Sequence, residues 1–278
     1  MKNVSCEDIS ALVAKLCIRA ATELPADVAA LLERAAERET SPAAKAALGD
    51  LVENFKYAAE SGLPVCQDTG MAVVFADVGQ DVRITGGLFE DAVNEGVRRG
   101  YETGYLRKSV VGDPLRRVNT DDNTPAVIHT RLVAGDGIRI TVAPKGFGSE
   151  NMSSLTMLLP SATAETVAET VADAVVRAGA KPCPPLIVGV GLGGTAEQAM
   201  LEAKRALLRS GENADPFYAE LEADILARIN TRGCGAQGFG GSNTALAVRI
   251  EPLPTHIAGL PCAVNISCHA DRHAAGSL

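Results

Sequence analysis

The chain has 278 residues, 46% of them hydrophobic and 22% charged, with a formal net charge of −8; this length suits one large domain or two modest ones, and the composition excludes a disordered chain. The acidic balance argues against nucleic acid as a partner, because such binders draw most of their affinity from basic surface. No run reaches the roughly 18–20 consecutive apolar residues that span a bilayer, and Met1-Lys2-Asn3-Val4-Ser5-Cys6-Glu7-Asp8 lacks the basic-then-apolar order of a secretory leader, so a cytoplasmic location without membrane attachment is expected.

Ile9, Leu12, Val13, Leu16 and Cys17 recur at three- and four-residue spacing and predict a first helix. Pro25-Ala26-Asp27 opens a second, towards Ala36, and Ser41-Pro42, a cap followed by proline at the first helical position, opens a third to about Ala59. Cys6 and Cys17 belong to the first helix and read as small buried hydrophobes. After Gly70 the texture changes. Ala72 to Val78 is a buried-strand candidate, Asp91 to Arg99 a short helix, and Asp113 to Pro125 a polar loop. Val127 to Val133 and Gly137 to Val142 alternate with period two around Ala134-Gly135-Asp136, a hairpin signal in which His129 faces solvent or a strand neighbour. Beyond the glycine-rich turn Ala143 to Asn151 and an apolar run to Leu159 come a helix from Thr163 to Ala178 and a strand from Leu186 to Val190. Helices from Thr195 to Leu208 and from Pro216 to Ile229, and a strand from Ala245 to Ile250, complete the pattern. The expected class is mixed α+β (α/β). A single domain spans 1–278, with a helical cap over about 5–60 and a core of β-sheets covered by helices over about 61–278.

Seven cysteines, an odd number without a CxxC pair, favour free thiols, metal ligation or catalysis over disulfides. Three lie in proline- and glycine-bounded loops beside apolar elements: Leu63-Pro64-Val65-Cys66-Gln67-Asp68-Thr69-Gly70, Lys181-Pro182-Cys183-Pro184-Pro185, and Ser267-Cys268-His269-Ala270-Asp271-Arg272. Thiolates on rigid loops from distant segments suit a buried metal or iron–sulfur site, and three ligands in place of four would leave one iron without a protein thiolate; lone buried thiols are the alternative. Gly189-Val190-Gly191-Leu192-Gly193-Gly194 fits GxGxxG in form, but no later strand supplies the acidic residue of a dinucleotide fold. A tight turn or an anion-favouring helix start is preferred there.

These three cysteine motifs and Lys145-Gly146-Phe147-Gly148-Ser149-Glu150-Asn151 occur in one order along nearly the whole chain, and the set resembles the class I (iron–sulfur) fumarate hydratases and the related L(+)-tartrate dehydratases. The resemblance implies that Cys66, Cys183 and Cys268 hold a [4Fe–4S] cluster whose fourth iron binds the hydroxyacid. It implies that Gln67 and Asp68 contact substrate, that Arg107 pairs with a carboxylate, that Gly146 and Gly148 offer backbone amides, and that His256, twelve residues before Cys268, serves in catalysis beside Asp68. Simpler readings stand beside these: a surface ion pair for Arg107, a turn-stabilising side chain for Asp68, a loop histidine for His256. Cys234 and Cys262 compete less well as ligands, and His269 and His273 carry no assignment. The implied reaction is reversible hydration of fumarate to (S)-malate, with L(+)-tartrate dehydration as the alternative and a non-catalytic iron–sulfur or thiol redox sensor as a distant rival. The chain ends ten residues past Cys268, where single-polypeptide relatives continue into a further domain. An alpha subunit completed by a separate beta subunit, as an α2β2 complex acting on a dicarboxylate, is therefore expected, with the catalytic base on the partner.

Overall fold

A computed structural model describes residues 2–278. In chain order the elements are β1 (Lys2–Ser5), α1 (Cys6–Thr22), α2 (Ala26–Arg38), α3 (Pro42–Ser61), β2 (Met71–Gly79), β3 (Val82–Thr85) and α4 (Phe89–Thr103). Then come β4 (Val127–Val133), β5 (Ile138–Lys145), α5 (Phe147–Glu150), β6 (Ser154–Leu158), α6 (Ala164–Ala178) and β7 (Leu186–Gly193). The chain closes with α7 (Ala196–Ala206), α8 (Pro216–Arg232), a 3-10 turn (Ala236–Gly238), β8 (Ala245–Leu253), β9 (Leu260–Ser267) and β10 (Ala274–Ser277). The class is mixed α+β, a helical N-terminal region followed by sheets covered by helices. Among the described residues no helix is long and apolar enough to cross a membrane. The chain forms two compact units: Met1–Pro25, Phe55–Phe147 and Arg272–Leu278 make one, Ala26–Asn54 and Gly148–Asp271 the other.

In the first unit the strand order β10-β5-β2-β4 replaces the expected hairpin. β4 and β5 do not pair with each other; β2 lies between them, parallel to β4 and antiparallel to β5. Burial explains the order. β2, Met-Ala-Val-Val-Phe-Ala-Asp-Val-Gly, is buried along most of its length and belongs in the middle, whereas β4 exposes its central residues and can afford an edge. His129 stacks on Phe75, its register partner in β2, with ring centroids 5.3 Å apart, the strand-neighbour role expected of it. α1 and α4 cover the sheet, packing Ile9, Val13, Leu16, Val93, Val97 and Tyr101 onto Ala72, Val74, Ile140 and Val142. The helices meet through glycine: a Cβ at Gly96 would stand 2.6 Å from Val13 Cβ. The antiparallel register of β10 on β5 (Ala274 opposite Val142) brings the residues just before β10 to the end of the sheet where β5 finishes and β2 starts.

In the second unit the order is β6-β9-β7-β8, with β7 buried at every position. Its even-numbered residues Leu186, Val188, Val190 and Leu192 pack with Val167, Val171 and Val175 of α6 and Ile225 and Ile229 of α8. On the opposite face Gly189 and Gly191 admit α7: a Cβ at either would stand 2.0 Å from a carbonyl oxygen, of Ala203 and Ala199 respectively. The glycines of the GxGxxG stretch are thus used in packing a helix on a strand, and Thr195 with Gln198 forms the capping box that starts α7.

Candidate active site

In the first unit, Cys66 lies in the turn between α3 and β2, tied at its entry by the Val65 amide donating to Ala21 O at 2.9 Å. Two residues on, the Asp68 carboxylate accepts the Gly70 amide on Oδ1 and the Phe147 amide on Oδ2, both at 3.1 Å. The residues between need special backbone. Gly70 has φ +76° and would place a Cβ 2.8 Å from the Lys145 main chain, and a Cβ at Gly146 would stand 3.2 Å from Asp68 Oδ2. Glycine at 146 therefore lets the carboxylate approach the main chain closely.

The carbonyls of the same turn are held from beneath by buried donors. Tyr101 Oη donates to Thr69 O at 2.9 Å, with Gly70 O at 3.0 Å, Asn123 Nδ2 donates to Gly70 O at 3.2 Å, and Arg272 Nη2 donates to Asp68 O. Burial raises the Tyr101 hydroxyl far above its ordinary range, so it stays a neutral donor. Asn123, fully buried with φ +61°, also accepts the Ser109 amide at 2.7 Å, and Thr69 Oγ1 donates to Arg107 O at 3.1 Å. Together they fix the Arg107 segment against the Cys66 turn, while the Arg107 side chain itself is exposed. Arg272 is 5% exposed, and its Nε and Nη1 have no hydrogen-bond partner.

In the second unit the structure brings Cys183 and Cys268 into neighbouring turns. The His269 amide donates to Cys183 O at 3.3 Å, and His269 Nδ1 lies 3.2 Å from the same oxygen. A carbonyl only accepts, so this contact assigns the hydrogen to Nδ1; the 3.4 Å approach of Gln237 Nε2 to Nδ1 is then packing, not a bond. Gln237 holds the next residue instead, through its amide at 2.8 Å and its side chain at 2.6 Å, both donating to Pro184 O. Cys183, exposed, has φ +56° between two prolines. That conformation is costly for a non-glycine residue, and such cost tends to be retained where a side chain has work to do. Gly148 lies in this unit with Lys181 O 3.6 Å from where its Cβ would stand.

The remaining candidates separate by burial and position. Burial pushes the Cys17 and Cys262 thiols up to about 12, which makes them inert core hydrophobes, as expected for Cys17. Cys234 is half-buried with its thiol 3.8 Å from Gly235 O. His256 sits in the exposed turn before β9, its Nδ1 accepting the Ala258 amide at 3.1 Å; the eight residues of β9, roughly 27 Å of strand, stand between it and Cys268. Sequence reading missed Tyr101, Asn123, Gln237 and the donor role of Arg272.

Among the described residues no three His, Cys, Asp or Glu side chains converge as a single metal ion needs. A cubane asks for something else: its thiolates attach to separate irons. Loop cysteines held by main-chain bonds, together with a buried guanidinium whose donors are unpaired beside the Cys66 turn, fit such an anionic sulfur-ligated group.

Residues 10–277 match the model of the family described as fumarate hydratase (fumerase). The chain belongs to that family. It is 42% identical over 274 residues to a Methanocaldococcus jannaschii protein provisionally named L(+)-tartrate dehydratase subunit alpha, covering 96% of each chain. It is 29% identical to the L(+)-tartrate dehydratase subunit alpha of Escherichia coli strain UTI89 and 28% to that of strain K12, in both cases over 98% of this chain and 91% of the relative.

Proposed function

We propose that this chain is the alpha subunit of an iron–sulfur hydro-lyase that reversibly hydrates fumarate to (S)-malate, with Cys66, Cys183 and Cys268 holding a [4Fe–4S] cluster. The observation that carries the reading is the Cys66–Gly70 turn, where a loop thiol is followed by a carboxylate aligned by two main-chain amides over a buried guanidinium. When bound, the cluster supplies a Lewis acid for the hydroxyl and carboxylate oxygens of the substrate. The chain's own groups position and exchange protons. Asp68, with one lone pair on each oxygen engaged, keeps others to accept the hydrogen of a substrate hydroxyl. Arg107 clamps the distal carboxylate through two parallel N–H bonds, and Gln67 and the amides around Gly146 and Gly148 complete the polar lining. His256, at the far end of β9 from Cys268, is left outside this set. A beta subunit supplies the group that takes the carbon-bound proton, in an α2β2 complex. Seven free thiols suit a reducing compartment, the cytoplasm, and an iron without a thiolate makes the enzyme sensitive to oxygen.

The names of the relatives favour a second reading, L(+)-tartrate dehydration by the same machinery. A redox sensor would leave Asp68, Arg107 and Gln67 without work. The deciding experiment is anaerobic reconstitution of alpha with beta, followed by iron analysis and kcat/KM on both substrates. About four irons per alpha chain, lost in Cys66→Ser, Cys183→Ser and Cys268→Ser and kept in Cys234→Ser and Cys262→Ser, with fumarate preferred, is the expected result. Stoichiometric zinc without iron would sink the cluster; a higher kcat/KM for L(+)-tartrate would move the enzyme to the second reading.

A further inference from the structure

Arg272 is buried to within 5% of full enclosure, yet one nitrogen alone is committed, to the Asp68 carbonyl, while Nε and Nη1 have no partner. A guanidinium carries five N–H donors and cannot shed its charge, and burying such a cation with donors unpaired is costly. The register of β10 on β5 and the bond to Asp68 set it at the start of β2, two residues from Cys66 along the turn. The two groups that hold the neighbouring carbonyls, Tyr101 and Asn123, are uncharged, so neither neutralises it.

The geometry points to Arg272 as the cationic half of an anion-binding site on the Cys66–Gly70 turn, its Nε and Nη1 donating to an anion bound beside Cys66. That anion is either the sulfur face of the cluster or a carboxylate of the substrate. The inference rests on the proposed function, and the Asp68 bond gives it a second consequence: binding of the anion stiffens the residue that handles the substrate hydroxyl.

The test uses the reconstituted alpha–beta enzyme with Arg272→Lys and Arg272→Gln. Lysine keeps the charge and a donor for the Asp68 carbonyl but loses the fork, so a purely structural role predicts wild-type behaviour for Arg272→Lys. The anion site predicts otherwise at unchanged iron content. If sulfur is the acceptor, the cluster's midpoint potential falls in both variants, because lost N–H···S bonds disfavour the more negative reduced form. If the carboxylate is the acceptor, the potential stays and the inhibition constant of succinate rises at least about tenfold, the loss expected for a charge-assisted bond. Either outcome supports the site. An iron-replete Arg272→Lys and Arg272→Gln pair with unchanged potential and unchanged succinate binding overturns it. Wild-type enzyme without iron would defeat the cluster reading instead, and succinate binding measured directly by calorimetry on wild type and both variants would still decide Arg272.

Discussion

At Glu39 a single buried carboxylate gathers the glycine-rich loop that follows α8. Oε1 accepts the amides of Thr40 and Ser41, and Oε2 accepts the Ser242 amide at 2.9 Å and Asn243 Nδ2 at 2.7 Å. Gly241 is required there, since a Cβ would stand 2.6 Å from Oε2. Burial works against the charge, but the hydrogen bonds from Ser41, Ser242, Asn243 and Thr40 outweigh it and hold the carboxyl down to about 2. A depressed carboxyl stabilises the fold above its unfolded pKa and loses that contribution as pH falls through the folded value. Glu39→Gln should therefore cost about 3 kcal/mol at pH 7, because holding the carboxyl from an ordinary 4.5 down to about 2 is worth roughly 1.36 kcal/mol for each tenfold change in proton affinity. The difference between variant and wild type in urea midpoint should shrink steadily from about pH 4.5 towards 2; a gap constant over that range would show that the charge is not the cause. The same loop carries Gln237, which holds Pro184 beside Cys183, so the loss reaches a proposed ligand. At this scale the sequence marks candidates where chemistry-bearing residues sit in their own proline- or glycine-marked loops, as Cys66, Asp68, Cys183 and Cys268 do. Glu39, Asn123, Gln237 and Arg272 were hidden because each acts on groups brought close only by folding, as Arg272 does across 204 residues to Asp68.

Elements were legible in proportion to their periodicity. α1, α2, α3, α6, α7 and α8 carry long amphipathic stripes and recognisable starts, such as Thr163 before α6, and the expected helices coincide with them to within a few residues. β1, β3 and β10, of four residues each, are too short for a pattern, and β9, buried at every position after Leu260, does not alternate. The pairing of β4 with β5 failed for another reason: adjacency in sequence suggested a hairpin, and only the burial of β2 reveals the strand that intervenes. The glycines of β7 show how one pattern serves two physical ends. Gly189→Ala should cost at least about 3 kcal/mol, because its methyl would meet a main-chain carbonyl of α7 that cannot turn aside as a side chain would. A nucleotide-binding role predicts a different result, near-normal stability with lost nucleotide affinity. The expected outcome is a lowered thermal midpoint, with no nucleotide affinity in wild type or variant by calorimetry.

On the scale of the whole molecule, each unit carries apolar side chains into solvent. The first exposes Tyr105 at 94%, two residues before Arg107, and Leu115 at 90% and Val118 in the loop after it. The second exposes Leu155, Met157 and Leu159, which alternate along and just past the edge strand β6. An edge strand with an apolar face is a template for another chain, and the beta subunit proposed above is the partner expected to cover it. Chemistry asks for the same partner, because the proposed centre on this chain holds an acceptor for a hydroxyl and a cation for a carboxylate but assigns no side chain to the carbon-bound proton. Alpha alone, iron-loaded under anaerobic conditions, should turn over at under about 1% of the complete enzyme, the loss expected when a general base is missing. It should also self-associate with rising concentration in sedimentation velocity. Titration with beta should restore turnover and collapse the larger species into one heterotetramer, since shared sites favour closed symmetric assemblies. Met157→Lys should suppress the self-association of alpha while leaving its iron content intact, which ties the exposed edge to assembly and not to folding. Full turnover by the alpha chain alone, with no second polypeptide on a gel, would place the base within these 278 residues, and the exposed His256 would become the first side chain to replace.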